Sequence, residues 1–178
     1  MEWMILPLKR YADFSGRSRR LEFWMWFLAM FVINIVFTVL ILMALGGAAA
    51  FSDPENIGAN MTAIFAGAGV IMIISIVVSL GLLIPSLAVT VRRLHDSDKS
   101  GWWIMLFWGP YLLSVVFGFA GAAMGSGGVA LMLIGGVFNL LLLVACVVML
   151  VFCVLDGTRG SNRYGEDPKR PTNAEVFA

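Results

Sequence analysis

Three stretches of this sequence contain no Asp, Glu, Lys or Arg: Phe23–Ser52, Asn56–Val91 and Ser100–Leu155, of 30, 36 and 56 residues. A helix needs roughly 20 apolar residues to cross roughly 30 Å of hydrocarbon, so the first two stretches can each span once and the third twice. Inside lipid every backbone polar group must be satisfied within the chain, which helices do alone. The stretches take up 122 of the 178 residues, leaving about 56 for loops and tails, too few for a separate soluble domain. With 60% hydrophobic and 13% charged residues, a soluble protein is excluded. The expected fold is an all-α integral membrane protein with four transmembrane helices.

Punctuation within the chain sets expected boundaries. Residues 1–22 form a first polar segment, 23–155 the membrane domain and 156–178 a polar tail. Pro7 and Gly16 suggest a short interfacial helix near Pro7–Phe14 with Leu8, Tyr11 and Phe14 toward lipid, then a turn. Ser18 is the expected cap of the first long helix, with Glu22 in its first turn where a carboxylate suits the helix dipole. Spans are expected near 23–45, 61–91, 101–124 and 129–155, with Pro85 and Pro110 as kink points and RRLHDSDKS as a loop between the second and third. The first apolar stretch exceeds the about 7–15 residues of a signal-peptide core, so it is read as a retained helix. Trp102 and Trp103 open the third span, as an aromatic interface belt would.

The basic residues set an expected orientation. The first segment holds Lys9, Arg10, Arg17, Arg19 and Arg20, the middle loop Arg92, Arg93 and Lys99, and the tail Arg159, Arg163, Lys169 and Arg170. The stretches at 46–60 and 124–128 hold none, while Asp53 and Glu55 lie in the first of them. The positive-inside rule then puts both termini and the middle loop in the cytoplasm.

Three polar segments should therefore meet on one face: SGRSRRLEFW at Ser15–Trp24, RRLHDSDKSGWW at Arg92–Trp103 and DGTRGSNRYGEDP at Asp156–Pro168. Their pattern, G-R-x-R-R-x-E-[FY]-W, then R-R-L-H-D-x-x-x-S-G-W-W, then D-G-T-x-G-x-N-x-[YF]-G-x-D-P, resembles the domain of unknown function 805 family of small bacterial inner-membrane proteins. The resemblance covers nearly the whole chain and implies a bacterial inner membrane and an architecture, but no activity. Asp98-Lys99 in the middle loop and the Gly-rich third and fourth helices depart from the family pattern.

The candidate chemistry is sparse. Arg17, Arg19, Arg20, Arg92, Arg93, Arg159 and Arg163 are candidate ligands for lipid phosphate, since guanidinium forks match phosphate geometry and anionic lipid attracts basic residues. Topology alone also accounts for basic residues beside membrane helices. Glu22, Asp96, Asp98, Asp156 and Asn162 are expected to tie the segments into a structural polar cap. His95 beside Asp96 is a weak candidate acid/base pair against a plain hydrogen-bonding histidine. Asp96-x-Asp98-x-Ser100-Gly101 imitates the start of a calcium loop but places Phe107 where a bidentate Glu is needed. No metal, cofactor or nucleic-acid partner is expected. Cys146 and Cys153, seven apart on one helix, are separated by roughly 10 Å along its axis and read as packing residues.

Within the membrane the polar residues are Asn34, Thr38, Ser75, Ser79, Ser86, Thr90, Ser114 and Asn139, without a charge, which argues against an ion-coupled pump. The leading expectation is a non-catalytic binding or assembly protein engaging anionic lipid or a partner protein through its cytoplasmic face. The alternatives are an oligomeric channel lined by the Ser75, Ser79, Ser86 and Thr90 seam, and a membrane enzyme acting on a phosphate-containing lipid.

Overall fold

The computed structural model describes residues 2–50 and 57–169. In chain order the elements are α1 (Glu2–Lys9), α2 (Arg20–Ala50), α3 (Ile57–Asp96), a 3-10 turn (Gly101–Ile104), α4 (Met105–Ala123), a second 3-10 turn (Gly125–Gly128) and α5 (Val129–Val154). Four helical stretches are long and apolar enough to cross a membrane: Arg20–Leu45, Phe65–Asp96, Gly101–Ala123 and Gly125–Val154. Their exposed side chains include Phe31, Phe65 and Leu133, as lipid-facing surfaces require.

Several boundaries differ from those expected. The N-terminal helix lies at Glu2–Lys9 rather than Pro7–Phe14, because Glu2 in its first turn and Lys9 in its last suit the helix dipole. Pro7 is tolerated inside it, and Arg10 N–H still bonds the Leu6 carbonyl at 3.0 Å. Gly46 and Gly47 do not stop α2, which continues to Ala50. The more consequential difference is at the end of α3. Residues 92–96, expected in a loop, are the last turns of a 40-residue helix. Asp53, Glu55 and Arg170 lie outside the described residues.

The chain forms two compact units. The first comprises Met1–Asp13 and Trp24–Leu87, hence α1 with most of α2 and α3. Here the Tyr11 hydroxyl donates to the Gly81 carbonyl at 2.5 Å. Trp26 is buried, and its Nε1–H donates at 3.0 Å to Ser86 Oγ, which itself donates to the Leu82 carbonyl at 2.6 Å. Asn34, Thr38 and Ser75 donate to the carbonyls of Met30, Asn34 and Met72, satisfying their polar groups within their own helices.

The second unit comprises Phe14–Phe23 and Ala88–Ala178. Its α4 and α5 fold back on one another through glycines. A methyl group added at Gly128 would overlap the Gly121 carbonyl, and one at Gly135 would meet the Gly118 nitrogen at 3.3 Å. Such close backbone approach is how membrane helices gain packing energy, since lipid is as apolar as leucine and gives no hydrophobic drive.

Candidate functional site

Among the described residues of this unit the two largest fully buried side chains are arginines, and two carboxylates and a third arginine are buried as well. Arg92 and Arg93 are 0% exposed, Glu22 and Asp96 3%, and Arg17 6%. Their positions follow from how α3 ends. The chain leaves the helix through Asp98, at φ 55°, with Asp98 N–H on the His95 carbonyl at 3.1 Å and Lys99 N–H on the Leu94 carbonyl at 2.9 Å. These two bonds form a Schellman termination, here with Asp rather than the usual Gly in the left-handed position. Ser100 then starts the 3-10 turn, its hydroxyl accepting from Trp102 N–H at 3.4 Å.

Continuing the helix through Asp96 places Arg93 and Asp96 three residues apart on one face, where Arg93 Nη1 pairs with Asp96 Oδ2. Arg17 Nε and Nη2 each lie 2.9 Å from Asp96 Oδ1. The Arg17 fork also grips the tail: Nη1 donates to the Gly160 carbonyl and Nη2 to the Thr158 carbonyl, both at 2.6 Å. Thr158 N–H in turn donates to the Asp96 backbone carbonyl at 2.9 Å. Arg17 and Asp96 thereby join the N-terminal segment, the end of α3 and the tail.

Arg93 has a second role, since its Nε donates to the Cys153 carbonyl at 3.1 Å and its Nη2 to that of Leu155. Arg20 Nε adds a bond to the same Leu155 oxygen at 3.1 Å. The last carbonyls of a helix have no intrahelical partner and carry its negative dipole end, so these cations close the C-terminus of α5. Arg92 Nη2 pairs with Glu22 Oε1 at 3.0 Å, and the Arg92 carbonyl accepts from Ser18 N–H at 3.1 Å. Ser18 is fully buried, and its hydroxyl turns to the Arg19 carbonyl rather than capping α2. Three buried guanidinium groups thus face two buried carboxylates plus a helix C-terminus and tail carbonyls, leaving little net charge in the interior.

Around this core lies a more exposed shell. Arg163 Nε meets Asp98 Oδ1 at 3.1 Å, Arg20 Nη2 meets Asp156 Oδ1 at 2.6 Å, and Lys169 Nζ lies 3.2 Å from the same oxygen. The Lys169 bond, with help from Arg20, holds the Asp156 carboxyl below its usual range. Backbone N–H donation from Lys169 and Gly160 does the same for Asp167. Arg19 donates from Nε and Nη2 to the Pro168 carbonyl. Asn162 organises the tail turn: its Nδ2 donates to the His95 carbonyl and to Thr158 Oγ1, both at 2.9 Å, and its Oδ1 accepts from Tyr164 N–H at 2.9 Å. Tyr164 stacks on His95, with centroids 3.8 Å apart and planes within 3°. Gly157 is required by close approach, because a methyl there would overlap the Asp96 carboxylate.

This geometry corrects two sequence expectations. Of the arginines read as phosphate ligands, Arg17, Arg92 and Arg93 are buried among protein partners, Arg19 and Arg20 are half-buried, and Arg159 and Arg163 are exposed. Among the described residues Arg159 has no ion-pair partner. His95 and Asp96 do not form a dyad: the Asp96 oxygens face Arg17 and Arg93, while His95 Nδ1 lies 3.2 Å from the Gly16 carbonyl. The same engagement removes Asp96 from the calcium-like pattern. Sequence reasoning named Gly157 as a tight-turn position rather than a close approach and did not single out Tyr164 or Thr158, although an aromatic two residues after Asn162 in a Gly-rich turn was a usable signal. Cys153 is buried beneath Arg93 and Cys146 is exposed, both as free thiols.

A family model described as "Protein of unknown function (DUF805)" matches residues 11–166. Curated relatives include Inner membrane protein YhaI of Escherichia coli K12, 30% identical over 97% of this chain and 100% of its own. Inner membrane protein YhaH of the same strain is 30% identical over 95% of this chain and 98% of its own. Uncharacterized protein YiiR, also from that strain, is 32% identical over 87% of this chain and 85% of its own. No solved structure matches the chain. The matched residues include all three polar segments up to Glu166 except Asp167 and Pro168, and with four apolar helices between and beside them the chain is a multi-pass membrane protein belonging to the DUF805 family.

Proposed function

We propose that the protein is a non-catalytic, multi-pass binding protein of the bacterial inner membrane, with both termini in the cytoplasm, that engages anionic lipid through the outer shell of its polar cluster. The placement draws on the names of its relatives and on the confinement of all twelve basic residues to the two terminal segments and the 92–99 stretch. The observation that carries the lipid reading is the division of labour among the arginines. Arg17, Arg92 and Arg93 are consumed inside, whereas Arg163 is 60% exposed and Arg159 is open to its surroundings. Juxtamembrane cations of this kind attract anionic head groups by about 1 kcal/mol each.

The test is native mass spectrometry of protein extracted with its own lipids, comparing wild type with an Arg159→Gln/Arg163→Gln variant. Wild type should retain anionic lipid in preference to zwitterionic lipid, and the variant should lose that preference while melting at the same temperature. Equal retention by both proteins would overturn the reading.

A further inference from the structure

The chain has one histidine, and its environment in the second unit is asymmetric. His95 Nδ1 lies 3.2 Å from the Gly16 carbonyl oxygen. A carbonyl only accepts, so in the neutral ring Nδ1 carries the proton and Nε2 keeps a lone pair. Tyr164 covers one ring face. Nε2 is close to Gly101, where an added methyl would stand 3.6 Å away. Among the described residues no donor meets Nε2.

His95 lines an open pocket of about 360 Å³, walled with it by Val91, Ser100, Gly101, Trp102, Ile104, Met105 and Tyr164, so the side of the ring near Gly101 is the side next to it. That volume falls within the range of small-molecule sites, about 300–1,000 Å³. The pocket lies where one apolar span ends at Asp96 and the next begins at Gly101, the depth of lipid head groups. Trp102 is 78% exposed there, as interface tryptophans are. A cation is also close: Arg163 Cζ sits 4.8 Å from the Tyr164 ring centroid, and although Asp98 pairs with it, more than half of its side chain is open.

We propose that this pocket seats the head of a glycerol-headed anionic phospholipid. A head-group hydroxyl donates to His95 Nε2, the apolar part beyond the phosphate lies against Trp102, Met105 and Val91, and the phosphate lies toward Arg163. A choline head has no hydrogen to donate, and an ammonium head would bring a second cation beside Arg163, so the hydroxyl is the matching donor. The inference rests on the anionic-lipid reading above and adds its recognition site.

Because the histidine is unique, labelling with ring-¹⁵N histidine yields two resonances, one for each ring nitrogen. Protein in neutral-detergent micelles at about pH 8, above the usual imidazole range, is titrated with phosphatidylglycerol or phosphatidylcholine. The expected result is a saturable upfield shift of the Nε2 resonance with phosphatidylglycerol and none with phosphatidylcholine. A Met105→Trp variant, which fills the pocket and leaves Gly16, His95 and Tyr164 unchanged, should abolish the shift. Preferential retention of phosphatidylglycerol without a shift of Nε2 would overturn the site and leave the lipid reading standing. No preference for phosphatidylglycerol over phosphatidylcholine in either measurement would overturn both.

Discussion

At Asp96 two guanidinium groups, from Arg17 and Arg93, meet one buried carboxylate whose backbone carbonyl also holds Thr158. Desolvating such charges is costly, and removing one partner strands the others, typically at about 3–5 kcal/mol. Asp96→Asn should therefore lower unfolding stability in micelles by about 3–5 kcal/mol, measured by chemical denaturation; a loss below about 1 kcal/mol, the range of an exposed pair, would show the cluster to be solvated. Arg17→Lys should not rescue the network, because one ammonium cannot copy a fork that reaches Asp96, Thr158 and Gly160 together. Gly157→Ala should destabilise, since its methyl would displace the Asp96 carboxylate, whereas Gly136→Ala, with open space around it, should be neutral or mildly stabilising in the same assay. The residue types of this cluster were legible in sequence, since charges confined to three segments between apolar spans have few partners but one another. The pairings were not, because they depend on helix phase.

That phase was set by one misread boundary. Reading a loop from Arg92 onward gave no basis for joining Arg93 to Asp96, whereas five more helical residues fix both on one face. The local sequence hid this, because Arg, Leu and His tolerate a helix or a turn and the Schellman ending uses Asp98 in place of the glycine that normally marks it. The apolar spans were legible because their signal sums over twenty or more residues. At the turn between α4 and α5 the limiting contact is backbone on backbone, so Gly128→Ala should force the helices apart and lower thermal stability, while Gly118→Ala should not. The tail turn has its own pH response. Asp156 and Asp167 titrate below their usual range, so their bonds favour the ordered tail above the ordinary carboxylate pKa of about 3.9 and are lost as pH falls through the depressed folded values. The Lys169 amide resonance, whose N–H donates to Asp167 at 2.9 Å, should report that loss only in acid; a change centred near neutrality would contradict it.

At the scale of the whole chain the distribution of polarity departs from that of a soluble protein: many large apolar side chains are exposed, while the second unit buries an ionic cluster beside Val89 and Leu94. The orientation proposed above makes a simple prediction. Reporter fusions active only in the cytoplasm should work at both termini, and a reporter inserted between residues 51 and 56 should work only if active outside it; an active cytoplasmic reporter there would reverse the reading. The capping of α5 by Arg93 also carries a consequence in time. During synthesis Arg17, Arg92, Arg93 and Asp96 emerge well before the tail, and Thr158 follows Asp96 by 62 residues. At about 5–20 residues per second that is a delay of several seconds, during which the guanidinium groups lack the carbonyls of Cys153, Leu155, Thr158 and Gly160. Until those arrive, Arg17 and Arg93 can pair with Asp96 and Arg92 with Glu22, but the carbonyl half of the cluster is missing, so it closes fully only once Gly160 has been made. A nonsense mutation before Thr158 should therefore leave a protein in which Arg17 keeps Asp96 but lacks the Thr158 and Gly160 carbonyls, and the closed cluster marks translation past Gly160.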